Sequence, residues 1–162
     1  MRENDERYFC RTLIGRIAFT MRDGRLVALD LPDAGDAAPA RPAAEGLAAE
    51  VARQLDAWVQ DPRFVFTLPL APAGTVFQQR VWQALRAIPA GEVRTYGELA
   101  CRLGSSARAV GGACRANPLP LVVPCHRVVA AGGVGGFAGR TAGPALALKQ
   151  RLLAREGVRL EP

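Results

Sequence analysis

The chain has one histidine, His126, and it directly follows a cysteine in the run Pro124-Cys125-His126-Arg127-Val128. A free thiol has a pKa of about 8.5 and is mostly protonated at neutral pH, so a nucleophilic cysteine needs a neighbouring base or positive charge. His126 is the only imidazole that can supply one. The competing reading is that free cysteine is among the most buried residue types and is inert when isolated. Neighbouring side chains of a strand point to opposite faces, so this pair has to meet across a turn or through a water. Further along, Leu148 and Leu152 stand four apart on an apolar helical stripe, and Glu156 occupies its next position. A carboxylate there needs a donor, which His126 or an arginine can provide; the alternative is an exposed glutamate at a helix end. If Glu156 meets His126, the three residues form a Cys-His-Glu relay with the orienting logic of a catalytic triad.

Several elements must position these groups. Leu119-Pro120-Leu121-Val122-Val123-Pro124 is a short apolar segment that carries Cys125 inward. Upstream, Phe77, Val81, Leu85 and Ile88 share one helical face with Trp82 alongside, and Pro89-Ala90-Gly91 ends that helix. Thr95-Tyr96-Gly97-Glu98 has capping-box spacing, so a short helix runs from there to about Leu103, and Gly104 makes the turn. Ser105 or Ser106 caps a second helix over 107–116, stopped by Asn117-Pro118. Helix, glycine turn and helix make a helix-turn-helix. Its second helix is almost all small residues, and Gly111 and Gly112 each cost about 1 kcal/mol relative to alanine. Either another helix packs closely there, or a bulky outside surface such as a nucleic-acid backbone approaches, with Arg108 and Arg115 supplying charge. Gly132-Gly133-Val134-Gly135-Gly136-Phe137-Ala138-Gly139 is a surface loop or the wall of a flat pocket, and no Gly-Lys-Ser/Thr follows to make it a phosphate loop. The last helix spans Ala145 to Glu156 and stops at Gly157.

The first half reads as architecture. Ile17, Phe19 and Met21, then Asp23-Gly24, then Leu26 to Leu31 spell a hairpin. Residues 32–46 are a loop rich in Ala, Pro, Gly and Asp; Leu47, Val51, Leu55 and Trp58 form a helix; and Phe64, Phe66, Leu68 and Leu70 alternate like a strand. A boundary at Ala71-Pro72-Ala73-Gly74 separates an α/β domain over 1–72 from a second domain over 73–162. The net charge of +6 is lopsided: residues 1–72 hold nine arginines against eleven carboxylates, and residues 73–162 hold eleven arginines and one lysine against four glutamates. A basic half attracts polyanions, although abundant arginine with little lysine also reflects a GC-rich coding genome. Four cysteines without CxxC spacing indicate reduced thiols rather than a disulfide framework or a zinc ribbon, and no histidine stands near Cys10 to complete a metal site. The charged start and the absence of a long apolar run lead us to expect a cytoplasmic protein with no membrane association.

The joined pattern Ala107-Arg108-Ala109-Val110-Gly111-Gly112-Ala113, Arg115, Asn117-Pro118, Pro120 and Pro124-Cys125-His126-Arg127-Val128 resembles the signature of the 6-O-alkylguanine-DNA alkyltransferases, over roughly residues 75 to 157. The resemblance implies an α+β protein, with a ribonuclease-H-like N-terminal domain and a mainly helical, winged-helix-like C-terminal domain bearing the helix-turn-helix. It implies Cys125 as alkyl acceptor, His126 as its base through a water, Glu156 as the orienter of His126, Asn117 as hinge and Tyr96 as pocket hydroxyl. Arg108 becomes the finger that fills the gap left by an extruded base, with Arg115, Thr95, Ala107 and Gly111 on the DNA side. Val128, Phe137 and Ala138 line the pocket, and Arg127 is structural. The implied activity is irreversible, stoichiometric removal of the alkyl group from O6-alkylguanine, and from O4-alkylthymine, in double-stranded DNA. It implies no metal, no organic cofactor and no obligate protein partner, and a monomer. Two departures stand out: Phe137 and Ala138 replace the family's common tyrosine and serine, and Arg140-Thr141-Ala142-Gly143-Pro144 looks inserted, which leaves alkyl-size preference open. A lesion sensor that flips the base without accepting its alkyl group would lack the acceptor cysteine. A thiol hydrolase would leave the helix-turn-helix unexplained.

Overall fold

Asp23 and Gly24 both take positive φ, 50° and 73°, the backbone that a two-residue hairpin turn demands. In the computed structural model, which describes residues 2–32, 39–137 and 143–160, that turn joins two neighbouring strands. Strands β1 (Asp5–Thr12), β2 (Gly15–Arg22), β3 (Arg25–Asp30) and β4 (Arg41–Pro42) form a sheet in the order β3-β2-β1-β4. Helix α1 (Gly46–Gln60) packs on β1 and buries Val51, Leu55 and Trp58, while Ile17, Phe19 and Met21 are buried from β2. These elements lie in the first of two compact units, Met1–Ala73 and Gly74–Pro162.

Two expectations for the first unit need correction, and one strand was not read from the sequence. Strand β1 is a full sheet member that the polar sequence concealed. Its Asp5 pairs with Arg22 at 2.6 Å, its Arg7 with Asp30 at 2.9 Å, and Arg16 stacks 4.4 Å above Phe9. Charges that look like loop are thus matched across strands. The expected loop over 32–46 contains β4, which pairs parallel to β1 through Tyr8 and Phe9; residues 33–38 lie outside the described residues. The expected strand Phe64–Leu70 has the predicted alternation of exposure, but among the described residues its only ladder contact is a parallel bridge from Leu70 to Leu26. Pro69 has no N–H to give, and the Thr67 N–H donates to the Gln54 side chain at 2.9 Å. Instead Trp58 stacks on Phe66, and Phe64 meets that ring edge-on.

In the second unit, α2 (Val76–Arg86) starts on a complete capping box between Thr75 and Gln78. Next come β5 (Arg94–Thr95) and α3 (Tyr96–Leu103), the latter with the predicted Thr95–Glu98 capping box and Gly104 closing it at φ 63°. Helix α4 (Ala107–Arg115) is capped by Ser106. A 3-10 turn at Cys125–Arg127 leads into β6 (Val128–Val129), which pairs parallel with β5, and α5 (Pro144–Arg155) follows. Trp82 of α2 fixes α4 by donating its indole N–H to the Ala113 carbonyl at 2.9 Å. An added Cβ on Gly74 would fall 2.4 Å from that ring. Gly74→Ala is therefore expected to destabilise the chain by about 1–3 kcal/mol through overpacking, read as a lowered urea midpoint. Among the described residues, no helix is long and apolar enough to cross a membrane.

Candidate active site

The turn that delivers Cys125 is built by Asn117. Its Nδ2 donates to the Val123 carbonyl at 2.8 Å, and its Oδ1 accepts from the Leu119 N–H at 2.9 Å. The Val123 N–H closes back on the Leu119 carbonyl at 2.8 Å, and Leu121, inside this loop, is held at φ 75°. A left-handed leucine costs roughly 1–2 kcal/mol, offset here by burying its side chain to 2 % exposure. Cys125, His126 and Arg127 then form a single 3-10 turn, all three buried. A turn removes the strand geometry that would have sent neighbouring side chains to opposite faces.

His126 is fully buried, and its Nε2 lies 2.5 Å from Glu156 Oε2. The other carboxylate oxygen accepts from Arg127 Nε at 2.6 Å, and Arg127 Nη1 donates to the Ile88 carbonyl at 2.7 Å. Glu156 thus has a side chain with no exposed surface, which rules out an exposed helix-end glutamate. It caps α5, and Gly157 beyond it turns at φ 81°. Although burial alone would raise its pKa, the hydrogen bonds and charges of His126 and Arg127 hold the carboxyl below its usual value. Burial pushes the His126 imidazole below its usual pKa, against the pull of Glu156. A neutral imidazole facing a carboxylate donates from Nε2, which leaves the lone pair on Nδ1.

Cys125 is 8 % exposed. Burial pushes its thiol up, while a hydrogen bond from the Asn117 side chain and the charge of Lys149 pull it back. The resting pair is therefore a neutral thiol next to a neutral imidazole, in which the sulfur gains charge only when its proton is taken. Tyr96 opens α3 with its hydroxyl donating to the Gly136 carbonyl at 3.4 Å. Its pKa is pushed up to about 12 by burial and by Cys114 and Cys125, so it stays a proton donor at neutral pH. Gly135, at φ 75°, keeps the glycine loop against the Tyr96 ring: a Cβ there would lie 3.1 Å from the ring.

The structure thus brings Cys125, His126, Glu156, Asn117 and Tyr96 into one neighbourhood, with Val128 and Phe137 buried beside them in the chain. Ala107, Arg108, Gly112 and Arg115 lie apart from that cluster, on the exposed face of α4. Val110 and Ala113 are the buried side of this helix. Close packing of another helix does not account for the two glycines, although Ala113 is buried on the packed side. A Cβ on Gly112 meets nothing within 4 Å, and one on Gly111 meets only Tyr96 at 4.0 Å. Thr95 is half-buried as the cap of α3. Ala138 lies outside the described residues, as do 139–142 of the apparent insertion; of the remainder, Gly143 is the N-cap of α5 and Pro144 its first residue.

One residue at the site was not singled out from sequence, and another was read only as structural. Arg127 is structural as expected, but what it braces is Glu156. Lys149 is fully buried and donates to the Val128 and Gly136 carbonyls at 2.7 and 2.9 Å. Its signal was available: the one lysine of the chain stands on the same apolar stripe as Leu152 and Glu156.

Residues 76–158 match the DNA-binding domain of 6-O-methylguanine DNA methyltransferase. A methylated-DNA–protein-cysteine methyltransferase of Methanosarcina acetivorans is 46% identical over 110 residues, 67% of this chain and 68% of that protein. The Mycobacterium leprae protein of the same name is 51% identical over 90 residues, so the match spans 54% of each chain, about half the length of that relative. A crystal structure of Mycobacterium tuberculosis O6-methylguanine methyltransferase superposes with a TM-score of 0.76 at 33% identity, covering 94% of this chain and 92% of that one. The same organism's OGT in complex with DNA gives a TM-score of 0.74 at 33% identity, over 93% and 92%.

Proposed function

Because this chain belongs to the 6-O-methylguanine DNA methyltransferase family, we propose that it repairs DNA by direct reversal, moving the alkyl group of O6-alkylguanine, or O4-alkylthymine, onto Cys125. The observation that carries this reading is the buried 2.5 Å contact from His126 to Glu156 at the end of α5, His126 sharing its turn with a buried thiol that Asn117 ties to the end of α4. In the reaction, the Cys125 proton passes through a water to His126 Nδ1, and Glu156 stabilises the imidazolium that forms. The sulfur attacks the alkyl carbon, the carbon–oxygen bond breaks, and its electron pair leaves on guanine, whose ring takes a proton from the Tyr96 hydroxyl. The thioether is not a group this site can expel, so each molecule acts once.

A guanine in the stack presents its O6 in the major groove, out of reach of a buried sulfur, so the base must leave the helix. The exposed small-residue face of α4 allows its backbone to approach the minor groove, and Arg108 occupies the space the base vacates. Arg115, Ala107, Gly111 and Thr95 complete the DNA side, while Val128, Phe137 and Ala138 line the pocket. We read the first unit as ribonuclease-H-like and the second as winged-helix-like, acting as a monomer without an obligate protein partner.

The decisive measurement is intact-protein mass after exposure to duplex DNA carrying O6-methylguanine. One added methyl per molecule, mapped to Cys125 and equal to the lesions removed, is expected; many lesions removed per molecule would overturn the reading. Arg108→Ala is expected to slow repair of duplex DNA by about a hundredfold, since unpairing and unstacking a base costs a few kcal/mol. Reaction with free O6-alkylguanine base should change little, and equal losses on both substrates would remove the finger role.

A further inference from the structure

Residues 1–72 hold nine arginines against eleven carboxylates, and three of the arginines on the sheet are answered by one of those carboxylates. Arg7 meets Asp30 at 2.9 Å, Arg22 meets Asp5 at 2.6 Å and Arg41 meets Glu6 at 3.1 Å. Arg11 and Arg16 are different. They are exposed and stand directly opposite each other across β1 and β2, and among the described residues neither pairs with a carboxylate. Their guanidiniums lie over one ring, that of Phe9, at 6.0 and 4.4 Å from its centre. Like charges facing each other across two strands destabilise the pair. The ring offsets part of that cost and keeps both side chains beside one another.

The turn that carries them is pinned. Thr12 Oγ1 donates to the Gly15 carbonyl at 2.9 Å and accepts from the Ile14 N–H at 3.3 Å, and an added Cβ on Gly15 would fall 3.0 Å from Pro32. Thr12-Leu13-Ile14-Gly15 contains no carboxylate either, and Leu13 at its tip is 71 % exposed. Two opposed cations, held in place and facing solvent, have room for an anion from outside the chain. We propose that Arg11 and Arg16 hold the phosphate backbone of duplex DNA, so that the first unit supplies a DNA contact of its own in addition to α4. Planar guanidiniums match phosphate oxygens two at a time, and each phosphate they neutralise releases counterions. With a balance of −2, nine arginines against eleven carboxylates, the first half has no general attraction for a polyanion, so the contact depends on this pair. The inference rests on DNA as the partner and not on the transfer of an alkyl group.

The test is a binding titration of the full chain on unmodified duplex DNA between about 50 and 200 mM salt, a range over which phosphate contacts dominate affinity. Replacing both residues, Arg11→Gln with Arg16→Gln, is expected to lower affinity about tenfold at the low-salt end and to reduce the slope of log affinity against log salt by about one for each arginine. The rate of reaction with free O6-alkylguanine base should stay at the wild-type value. The single change Arg11→Glu gives Arg16 a cross-strand partner, so it should weaken DNA binding while raising the urea midpoint. A wild-type salt slope in the folded double variant would overturn the proposal, as would wild-type binding by Arg11→Glu. A loss confined to protein concentrations at which several copies load one duplex would assign the face to a second copy of the chain and overturn it too. Binding is read without any lesion, so a chain that holds DNA through these arginines and gains no methyl group sinks only the acceptor assignment, and one that gains the methyl group with an unaltered slope sinks only this proposal.

Discussion

A Cys125→Ala variant is expected to bind methylated duplex DNA with near wild-type affinity and never to acquire the alkyl group. Binding survives because Ala107, Arg108 and Arg115, read as touching DNA, lie on the exposed face of α4, whereas Cys125 is buried in the 3-10 turn Cys125–Arg127. Removing one sulfur from that turn costs about 1 kcal/mol, in the usual range for a single core change. Transfer is lost outright, because the remaining thiol of the neighbourhood is no substitute. Cys114 is pushed up to about 12 in the wild type chiefly by burial, a cause the substitution leaves in place, so it keeps its proton at neutral pH. The check is incubation with duplex carrying a labelled O6-methyl group, followed by gel separation of the denatured protein and a binding titration on the same DNA. Label retained by the alanine variant, on Cys114 or elsewhere, would refute the assignment of the acceptor.

Glu156→Gln is expected to damage both stability and reaction. The carboxylate answers His126 with one oxygen and Arg127 with the other, at 2.5 and 2.6 Å. Removing its charge leaves a buried guanidinium without its counter-ion, which costs about 3–5 kcal/mol. An amide in that place can also donate to His126, which favours the tautomer with its lone pair on Nε2 and takes the base away from the thiol. Alkyl transfer should therefore fall by about a hundred- to ten-thousand-fold even where the variant remains folded. The pH dependence separates the two effects. Because the folded carboxyl lies below its usual value, its stabilisation is complete above the usual carboxylate range and is lost as pH falls through the folded value. Urea midpoints of wild type and variant should then differ most near neutral pH and converge on acidification; a constant gap would count against the ion pair.

Much of the positioning frame was legible because it is local. The capping box at Thr95, the glycine turn at Gly104, and the Asn117-Pro118 stop each depend on residues a few positions apart, and each forms as spelled. The neighbourhood of Cys125 and His126 was legible by adjacency alone. What sequence left open is what only long-range contact decides. Glu156 had an exposed reading until His126 and Arg127, about thirty residues earlier, closed over it. Lys149 went unread because a lone lysine on an apolar stripe ordinarily extends its head to water, whereas this one meets two backbone carbonyls. Strand β1 was hidden because its charges are cancelled by partners on β2 and β3. The run Phe64–Leu70 was overread, since alternation reports a buried side and says nothing about where backbone hydrogens go.

Gly112 sits in the middle of a helix with empty space where a methyl group would be. Any search for a more heat-resistant version of this chain would rank alanine there among its first choices, worth about 1 kcal/mol in helix propensity. On the proposal that the exposed face of α4 meets DNA, such a variant would melt later and, with a methyl group standing between helix and duplex, grip its lesion less well. If DNA docks on that face, thermal robustness and fitness for purpose pull in opposite directions in this helix, and the open space beside the glycine serves the binding.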